Sequence, residues 1–421
     1  VIPSCPTLVV DEAHQLEDTA TQYFGVAFSN YRIDDFVRDV HQFLTSAGRP
    51  FTGRQLNELL LALTRVSDRA QTFFANIKAT ETRARYRAED LADRLDDGLM
   101  LIGALEGLEA SLAGSLQASE ELDSLQRRAG EMRTDLRFLL KASDADYVYY
   151  AEARGRGIFL RASPIDVSRI IRDALFDRMR ATVLTSATLA VDDSFDYIKG
   201  RLGLRDTNEI RVRSEFDYTT QALLYLPRRV PPPNAPSFGQ AAARETIEIL
   251  KRSKGRAFVL FTSYAVLRTV QQYVEMALPY PVFVQGTAPR STLIEQFRAT
   301  PNAVLLATSS FWQGVDVVGD ALSCVIIDKL PFVSPGDPVT AARIDAINAT
   351  GGNAFADYQV PLAILSLQQG LGRLIRHRTD RGVLAVLDPR LKTMGYGRRF
   401  LDSLPPAPVT HDLDAVARFF E

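Results

Sequence analysis

The chain has 421 residues, which is too long for one ordinary domain, so two to four domains are expected. Its 46% hydrophobic and 24% charged residues are typical of a globular protein and exclude a disordered chain. The net charge of −2 argues against a broadly basic surface for nucleic acid, and no apolar run approaches the ~20 residues of a membrane span, so we expect a cytoplasmic protein without a membrane partner.

The first predicted element is a short buried strand at residues 7–10, which runs directly into Asp11-Glu12-Ala13-His14. The chain begins with Val1 rather than Met and enters this strand within a few residues. We therefore expect the chain to be a segment of a longer protein.

Residues from about 30 to 145 are rich in Leu, Ala, Arg and Glu and almost free of proline. Apolar residues recur there at three- and four-residue spacing, which predicts three or four long helices. Two such stripes are Leu56, Leu59, Leu60 and Leu63, and Leu91, Leu95, Leu99 and Ile102. A small hairpin at residues 147–150 and 157–160 is expected to return the chain.

From about residue 165, short apolar strands alternate with segments of helical length and amphipathic pattern. The predicted strands are 180–185, 222–226, 257–261, 282–284, 304–307, 324–327 and 383–387. This alternation predicts α/β domains with doubly wound, mostly parallel sheets, the first of them interrupted by an all-helical insertion. The predicted ranges are 1–27 and 164–205 for a partial first α/β domain, 28–163 for the insertion with its hairpin, and 206–421 for a second α/β domain.

The two cysteines, Cys5 and Cys324, exclude a disulfide framework and a self-contained zinc or iron–sulfur site. The four histidines are scattered and show no metal-binding spacing. Both cysteines flank apolar runs, so we expect them to be buried free thiols.

Asp11 and Glu12 stand at the carboxyl end of a predicted buried strand, where open α/β sheets bind ligands. Chemically, the first acid can hold Mg²⁺, usually through water, and the second can orient the water that attacks a γ-phosphate. The alternative is a helix start enriched in acids by the helix dipole. The pair alone does not separate the two interpretations.

Two later segments carry further candidate residues. Ser186 and Thr188, in Ser-Ala-Thr, can relay nucleotide state by short hydrogen bonds, but they are equally good turn or cap residues. Arg373 and Arg376 are three residues apart, so on a helix they would share a face suited to a polyphosphate. A solvated basic face is the alternative, yet Gly372 is a poor helix former and suggests close approach of the backbone to a partner domain.

The acid pair, Ser-Ala-Thr and the run from Gln369 to Arg376 follow one another in the order of superfamily 2 helicase motifs II, III and VI. Four further segments also resemble the DinG/XPD group of DNA helicases, and especially its YoaA-like branch: residues 311–316, 326–332, 337–338 and 379–390. The resemblance covers the chain apart from the helical insertion, which matches in place and length and would be the Arch domain.

The resemblance implies an ATP-driven translocase on single-stranded DNA that unwinds forked or branched duplexes with 5′-to-3′ polarity. Asp11 would help hold Mg²⁺, Glu12 would be the catalytic base, and Arg373 and Arg376 would meet the γ-phosphate. The residues implied for nucleotide binding and coupling are His14, Ser186, Thr188, Gly314, Asp316, Gln369 and Gly372. Those implied for DNA contact are Thr262, Ser263, Tyr264, Gln285, Gly286 and Thr308. The cluster at residues 83–87 is a weaker candidate for single-stranded DNA, and a solvated helix end is the competing interpretation.

The chain contains no Gly-x-x-x-x-Gly-Lys-[Ser/Thr] loop for ATP phosphates and no four-cysteine cluster. In the resembled family both lie upstream of the acid pair, so a 4Fe–4S cluster is expected at most in the full-length protein. We expect no useful ATP hydrolysis from these residues alone. Two other functions stay open: a binding or scaffold module without turnover, and a DinG-like nuclease with an exonuclease domain upstream.

Overall fold

The chain divides into two units in the computed structural model, which describes residues 5–46, 51, 53–77, 80, 83–114, 119–212, 214–308, 311, 317 and 319–421. The first, which we call the sheet unit, comprises Val1–Gln15, Arg172–Val333 and Asn353–Glu421. The second, the helical unit, comprises Leu16–Ile171 and Ser334–Gly352.

Within the described residues the strands are β1 (Thr7–Val10), β2 (Val26–Ser29), β3 (Ala84–Arg85), β4 (Tyr147–Arg154), β5 (Gly157–Pro164), β6 (Ala181–Leu184), β7 (Ala222–Tyr225), β8 (Ala257–Phe261), β9 (Val282–Val284), β10 (Val304–Thr308), β11 (Cys324–Ile327), β12 (Gly382–Val386) and β13 (Val409–Thr410). The α-helices are α1 (Leu16–Tyr23), α2 (Asn30–Thr45), α3 (Gly53–Ala75), α4 (Leu95–Ala113), α5 (Glu120–Lys141), α6 (Ser168–Ala174), α7 (Asp196–Leu202), α8 (Tyr218–Gln221), α9 (Phe238–Ser253), α10 (Tyr264–Ala277), α11 (Arg290–Ala299), α12 (Pro338–Ala349), α13 (Val360–Leu371), α14 (Arg390–Thr393), α15 (Gly397–Ser403) and α16 (Leu413–Phe420). None of these helices is both long enough and apolar enough to cross a membrane.

The sheet unit is built on a seven-stranded parallel sheet in the order β13-β7-β12-β11-β8-β10-β9. Alternate side chains of β8 enter two separate apolar cores, with Phe258 and Leu260 in one and Val259 and Phe261 in the other. A strand buried on both faces needs apolar residues at every position, which is why these strands read as continuous apolar runs. The predicted doubly wound α/β fold is confirmed, and β1 and β6 form a separate two-stranded parallel sheet.

The helical unit contains the long helices α2 to α5, as predicted, but it is not all-helical. The predicted hairpin is the centre of a four-stranded antiparallel sheet in the order β2-β5-β4-β3. Its inner face contributes Phe28, Tyr149, Leu160 and Ala162 to the same apolar core as the helices. The two flanking strands escaped sequence analysis because β3 has two residues and β2 has four.

The predicted apolar stripe Leu91, Leu95, Leu99 and Ile102 is wrong at two of its four positions, since Leu91 and Ile102 are buried. Leu95 and Leu99 are 42% and 51% exposed, whereas Leu101, Leu105 and Leu108 are fully buried. A Cβ atom at Gly98 would lie 2.5 Å from Leu140 Cδ1. The glycine therefore allows the close packing of α4 on α5, which fixes the face that α4 buries.

Residues Ser334–Gly352 lie in the helical unit rather than with the rest of the predicted range 206–421. Arg343 of α12 is 5% exposed and pairs with Glu17 Oε1 at 3.0 Å. It also donates to Thr21 Oγ1 at 2.7 Å and to the carbonyl oxygen of Ile165 at 3.1 Å. Because a buried guanidinium is stable only when its charge and N–H groups are satisfied, these contacts hold α12 in place.

The cluster at residues 83–87 is neither a solvated helix end nor a stacking surface. Arg83 and Arg85 make ion pairs with Asp337 and Asp345, at 3.0 and 2.9 Å, so they also hold the α12 segment. The Tyr86 ring is 8% exposed, and its hydroxyl donates to a main-chain oxygen. A buried ring cannot stack on a base, so this interpretation is wrong.

Candidate nucleotide and DNA sites

The parallel pairing of β1 with β6 brings the acid tetrapeptide beside Ser-Ala-Thr. Val10 faces Leu184 in the register, and the pairing continues past the strands. The N–H of Thr185 donates to the Val10 oxygen at 2.9 Å, and the N–H of Ala13 donates to the Thr185 oxygen at 3.0 Å. His14 and Ser186 are 172 positions apart in the sequence. The two segments therefore form one cluster at the carboxyl edge of this small sheet.

Ser186 is the centre of that cluster. Its hydroxyl donates to Glu12 Oε2 at 3.2 Å, lies 2.8 Å from His14 Nδ1 and accepts the N–H of Thr188 at 3.2 Å. Glu12 has a φ of 51°, in the left-handed region that non-glycine residues rarely adopt. Such strain collects at functional sites, where the surrounding contacts enforce it.

The hydrogen bonds assign the tautomer of His14. When the one hydroxyl proton of Ser186 goes to Glu12, the Ser186 oxygen accepts the proton of His14 Nδ1, which also lies 3.3 Å from Glu12 Oε2. In this tautomer Nε2 carries no proton and can only accept a hydrogen bond. Nε2 is buried and, in the part of the chain that the structure describes, has no hydrogen-bond partner. An unsatisfied buried nitrogen of this kind calls for an explanation, and an absent ligand is one.

Burial lowers the pKa of His14 below its ordinary value, and the positive charge of Arg373 lowers it further, while Glu12 and Asp11 raise it. The imidazole is therefore neutral at pH 7, in agreement with the assigned tautomer. Arg373 is thus among the charges that act on His14, and it belongs to the same compact unit as the acids.

We expect His14 to make stability depend on pH. As the pH falls, His14 takes up a proton in the unfolded chain near its ordinary pKa of 6.5, and in the folded chain only at a lower pH. The contribution of neutral His14 to folding stability is therefore complete above pH 6.5 and is lost as the pH falls through the lowered pKa of the folded chain. The loss is at most about 1.4 kcal/mol per pH unit. Thermal melting between pH 5 and 8 should show a shallower pH dependence for His14→Asn than for the wild type. The exposed His41 provides the control, since His41→Asn should keep the wild-type slope. Equal slopes for all three proteins would contradict the assignment.

The acid cluster suits Mg²⁺ and the phosphates of ATP in its chemistry. Mg²⁺ keeps several waters and takes only one or two carboxylates from a protein. Asp11 is exposed and could supply one. Among the described residues no group of three or more His, Cys, Asp or Glu is placed to hold a metal ion. The buried hydroxyl of Thr188, like His14 Nε2, has no partner in the described chain.

Arg373 and Arg376 do not lie on a helix. Helix α13 ends at Leu371, and both arginines belong to the turn that precedes β12. Asp380 shapes this turn, because its Oδ2 accepts the N–H groups of Arg376 and His377, each at 2.8 Å. These bonds fix the backbone at Arg376, and neither arginine is placed by helical spacing.

Gly372 is the residue that follows α13, and its φ is −59°. A Cβ atom there would meet its nearest neighbour, the Gln368 oxygen, at an ordinary 3.5 Å. Gly372 follows the last residue of the helix, and its role in a close approach to a partner domain stays a prediction. Gln369 lies on the last turn of α13.

The predicted DNA-contacting residues meet at the carboxyl edge of the seven-stranded sheet, after β8, β9 and β10. Thr308 donates to Gln285 Oε1 through its N–H at 2.7 Å and its hydroxyl at 2.9 Å. Gln285 Nε2 donates to the Tyr264 hydroxyl at 3.0 Å. Ser263 caps α10, and Gly286 has a φ of 97° that suits a turn after β9. Thr262 is the first residue of the segment at residues 262–264, directly after β8.

The remaining predictions concern Gly314, Asp316 and the two cysteines. Gly314 and Asp316 lie outside the described residues, next to the described and buried Phe311. Cys324 is buried as expected, but Cys5 is exposed, so the expectation of a buried thiol is wrong there. β1 leaves alternate residues exposed, and Cys5 precedes it.

Sequence analysis missed two buried carboxylates at the same carboxyl edge. Asp328 follows β11 and is fully buried, and Asp388, two residues after β12, is 2% exposed. The signal was present, since each is an acid directly after an apolar run, as Asp11 is. No role was assigned to them because an acid at a strand end does not reveal its burial.

Comparison with known proteins agrees with the geometry. The family described as the helicase C-terminal domain matches residues 246–407. The chain is 37% identical over 420 residues to the ATP-dependent DNA helicase YoaA of Escherichia coli, covering 100% of this chain and 65% of that protein. It is 28% identical over 470 residues to the 3′-5′ exonuclease DinG of Bacillus subtilis, covering 98% of this chain and 50% of that protein.

A solved structure of an XPD helicase superposes with a TM-score of 0.60 at 14% identity, covering 96% of this chain and 68% of the other. This likeness shows the fold. The chain thus spans somewhat under two thirds of the length of the YoaA relative and half that of the DinG relative. Residues 246–407 match the helicase C-terminal domain, and the chain as a whole is similar to DinG/XPD-like superfamily 2 helicases in sequence and in its RecA-like α/β fold.

Proposed function

We propose that the full-length protein is an ATP-dependent DNA helicase that moves 5′-to-3′ along single-stranded DNA and opens forked or branched duplexes. The observation that carries this proposal is the cluster of Glu12, Ser186 and His14 within electrostatic range of Arg373. Acids, a hydroxyl relay and a guanidinium are the parts that phosphoryl transfer from ATP requires.

In this proposal Glu12 takes the proton of the attacking water, and Asp11 holds Mg²⁺, which supplies charge neutralisation at the phosphates when bound. Arg373 and Arg376 stabilise the charge on the transferred phosphoryl group. Ser186 shares its hydroxyl between Glu12 and His14, so a change at the nucleotide alters the hydrogen bonds of both. This shared hydroxyl is the coupling element that we propose, with Thr188 as its neighbour.

We propose residues 262–264, Gln285, Gly286 and Thr308 as the DNA-contacting edge of the second motor domain. Parallel strands place their carboxyl ends together, so polar side chains from three loops can follow one DNA backbone. The arginine turn precedes β12, so it lies toward the opposite, amino-terminal edge of the same sheet. A motor needs nucleotide and DNA at separate places on one rigid body, and this sheet offers both.

We assign residues 1–27 and 164–205 to a partial first motor domain, 28–163 to an Arch-like insertion and 206–421 to the second motor domain. The two compact units do not separate the two proposed motor domains, because residues 1–15 and 172–205 share the sheet unit with most of 206–421. Residues 16–27, 164–171 and Ser334–Gly352 join the helical unit. The phosphate loop is proposed to lie in the full-length protein outside these 421 residues, so that residues 1–421 are inactive in ATP hydrolysis by themselves. A cytoplasmic location completes the proposal.

The scaffold and nuclease alternatives have less support. A scaffold without turnover does not require the strained Glu12 or its shared hydrogen bond to Ser186. The Bacillus subtilis relative is named as a 3′-5′ exonuclease, but the nuclease alternative needs an exonuclease domain upstream, whereas the cluster of Glu12, Ser186 and His14 lies within this chain. ATP-driven unwinding is therefore the function that this geometry supports best.

Strand separation on tailed duplexes tests the proposal. We expect the full-length protein with ATP and Mg²⁺ to unwind a duplex with a 5′ single-stranded tail and a forked duplex, but not one with only a 3′ tail, because the translocase loads on single strands and moves in one direction. Omission of ATP should abolish all unwinding. Preferential unwinding of the 3′-tailed duplex would overturn the polarity, and DNA binding without any unwinding would favour the scaffold.

A further inference from the structure

The buried carboxylate of Asp328 joins the ends of two neighbouring strands. β11 pairs with β8, with Ile327 opposite Leu260, and Asp328 follows at once. Its Oδ1 accepts the N–H of Thr262 at 2.9 Å and that of Lys329 at 2.7 Å. One oxygen therefore fixes the backbone just after β8 and just after β11, and the Thr262 N–H is not available to a DNA phosphate.

Asp388 holds the same loop from the next strand. Its Oδ2 accepts the N–H of Leu330 at 2.9 Å, and Arg390 pairs with it at 2.6 Å. Asp388 thus has its own cation, whereas Asp328 Oδ2 is buried with no hydrogen-bond partner among the described residues. Burial raises the pKa of Asp328 to about 7, the hydrogen bonds from Thr262 and Lys329 and the Lys329 charge oppose the rise, and Asp388 adds to it.

A fully buried carboxyl group is costly, because its charged form loses hydration that two hydrogen bonds only partly replace. An apolar residue at this position would avoid the cost, so the carboxylate needs a purpose. Besides the neighbouring Lys329 amide, the feature that it fixes in the described chain is the start of the segment at residues 262–264. The other two residues of that segment already have partners, because the Tyr264 hydroxyl accepts a hydrogen bond from Gln285 Nε2 and the Ser263 hydroxyl caps α10.

We propose that Asp328 is a positioning residue for single-stranded DNA, which sets the place of the segment at residues 262–264 by holding the Thr262 amide. The half-exposed Tyr264 ring and the hydroxyls of Thr262 and Ser263 are the groups that it places. Asp328 is fully buried and does not touch the DNA. The inference rests on the proposed DNA-contacting edge of the helicase.

The test measures DNA-stimulated ATP hydrolysis of the full-length protein against the concentration of oligothymidylate. We expect Asp328→Ala to raise the half-saturating DNA concentration about tenfold, the effect of losing one hydrogen bond to a charged group, with kcat at saturating DNA nearly unchanged. Asp328→Asn keeps an acceptor oxygen for Thr262 and should restore most of the affinity. The exposed Asp402 of α15 supplies the control, and Asp402→Asn should behave as wild type.

A pH profile keeps the inference testable if Asp328→Ala fails to fold. Ionised Asp328 accepts stronger hydrogen bonds than the neutral acid, so the wild type should bind DNA more tightly as the pH rises from 6 to 8. Asp328→Asn has no such titration, so its half-saturating concentration should lack this component. Identical pH profiles for the two proteins, or a fall in kcat without a change in half-saturation, would overturn the inference. A wild-type protein that neither binds DNA nor responds to it would refute the proposed function instead.

Discussion

Glu12→Gln in the full-length protein is expected to lower the rate of DNA-stimulated ATP hydrolysis by at least about 100-fold, the contribution of a positioned general base. Glutamine has nearly the same size, and its oxygen can still accept the Ser186 hydroxyl that Glu12 accepts at 3.2 Å. The substitution therefore removes the proton acceptor and keeps the cluster. ATP and DNA binding should stay close to the wild-type values, which a steady-state assay with separate binding measurements would show.

The matched control for this prediction is Glu215→Gln. Glu215 is an exposed acid of the sheet unit, paired with Arg378 at 3.1 Å, and it has no part in the cluster. Its loss should leave the rate within about twofold of wild type, because exposed ion pairs contribute little. If Glu12→Gln hydrolysed ATP as fast as Glu215→Gln does, Glu12 would not be the base.

The second large effect concerns Arg373. We expect Arg373→Ala to reduce kcat for ATP hydrolysis about a thousandfold, since arginines that meet the transferred phosphoryl group contribute at least this much. Because that charge develops in the transition state, KM for ATP should change far less than kcat. Arg373→Lys should recover only a small part of the rate, because an ammonium group cannot offer the two parallel N–H bonds of guanidinium.

Arg378→Ala is the control for Arg373, since both lie between α13 and β12 and Arg378 is exposed and paired with Glu215. The Arg378→Ala variant tests whether any arginine in this region can support ATP hydrolysis. A wild-type rate for Arg373→Lys, or an equal loss for Arg378→Ala, would show that charge at this edge matters and that the position of Arg373 does not. Arg376→Ala is expected to resemble Arg373→Ala.

The strands of the sheet unit could be predicted from sequence almost to the residue. β8, β9 and β11 have the predicted bounds, β7 and β10 differ by one residue at one end, β12 is shifted by one residue, and the two-residue β13 had no predicted counterpart. Parallel strands covered on both faces give uninterrupted apolar runs, which few other structures produce in so short a length. The acid and hydroxyl candidates followed from these strands, because both stand directly after a strand end.

The helical parts were harder to predict because spacing alone does not fix which face is buried. In α4 the predicted stripe included the exposed Leu95 and Leu99, and the true face depends on Gly98 packing against Leu140 of α5. Arg373 and Arg376 were placed on a helix by the same spacing rule, although α13 ends before them. The turn depends on Asp380, whose role as a main-chain acceptor is invisible in sequence.

Contacts between distant residues account for the remaining differences. Arg343 finds Thr21 across 322 positions of the chain, so the placement of α12 in the helical unit has no local signal. Asp328 likewise holds Thr262 across 66 positions. Both residues are charged, buried and fully dependent on long-range partners, and single-sequence patterns register charge but not burial.

The central claim is that the carboxylates of Asp11 and Glu12 and the guanidinium of Arg373 serve one nucleotide. The most direct measurement is an experimental structure of the full-length protein with ADP–beryllium fluoride, Mg²⁺ and single-stranded DNA. The account predicts an Arg373 nitrogen about 3 Å from the group in the γ-phosphate position, with Asp11 and Glu12 on its other side. A nucleotide bound beside the acids with Arg373 turned away and out of hydrogen-bond reach would contradict it.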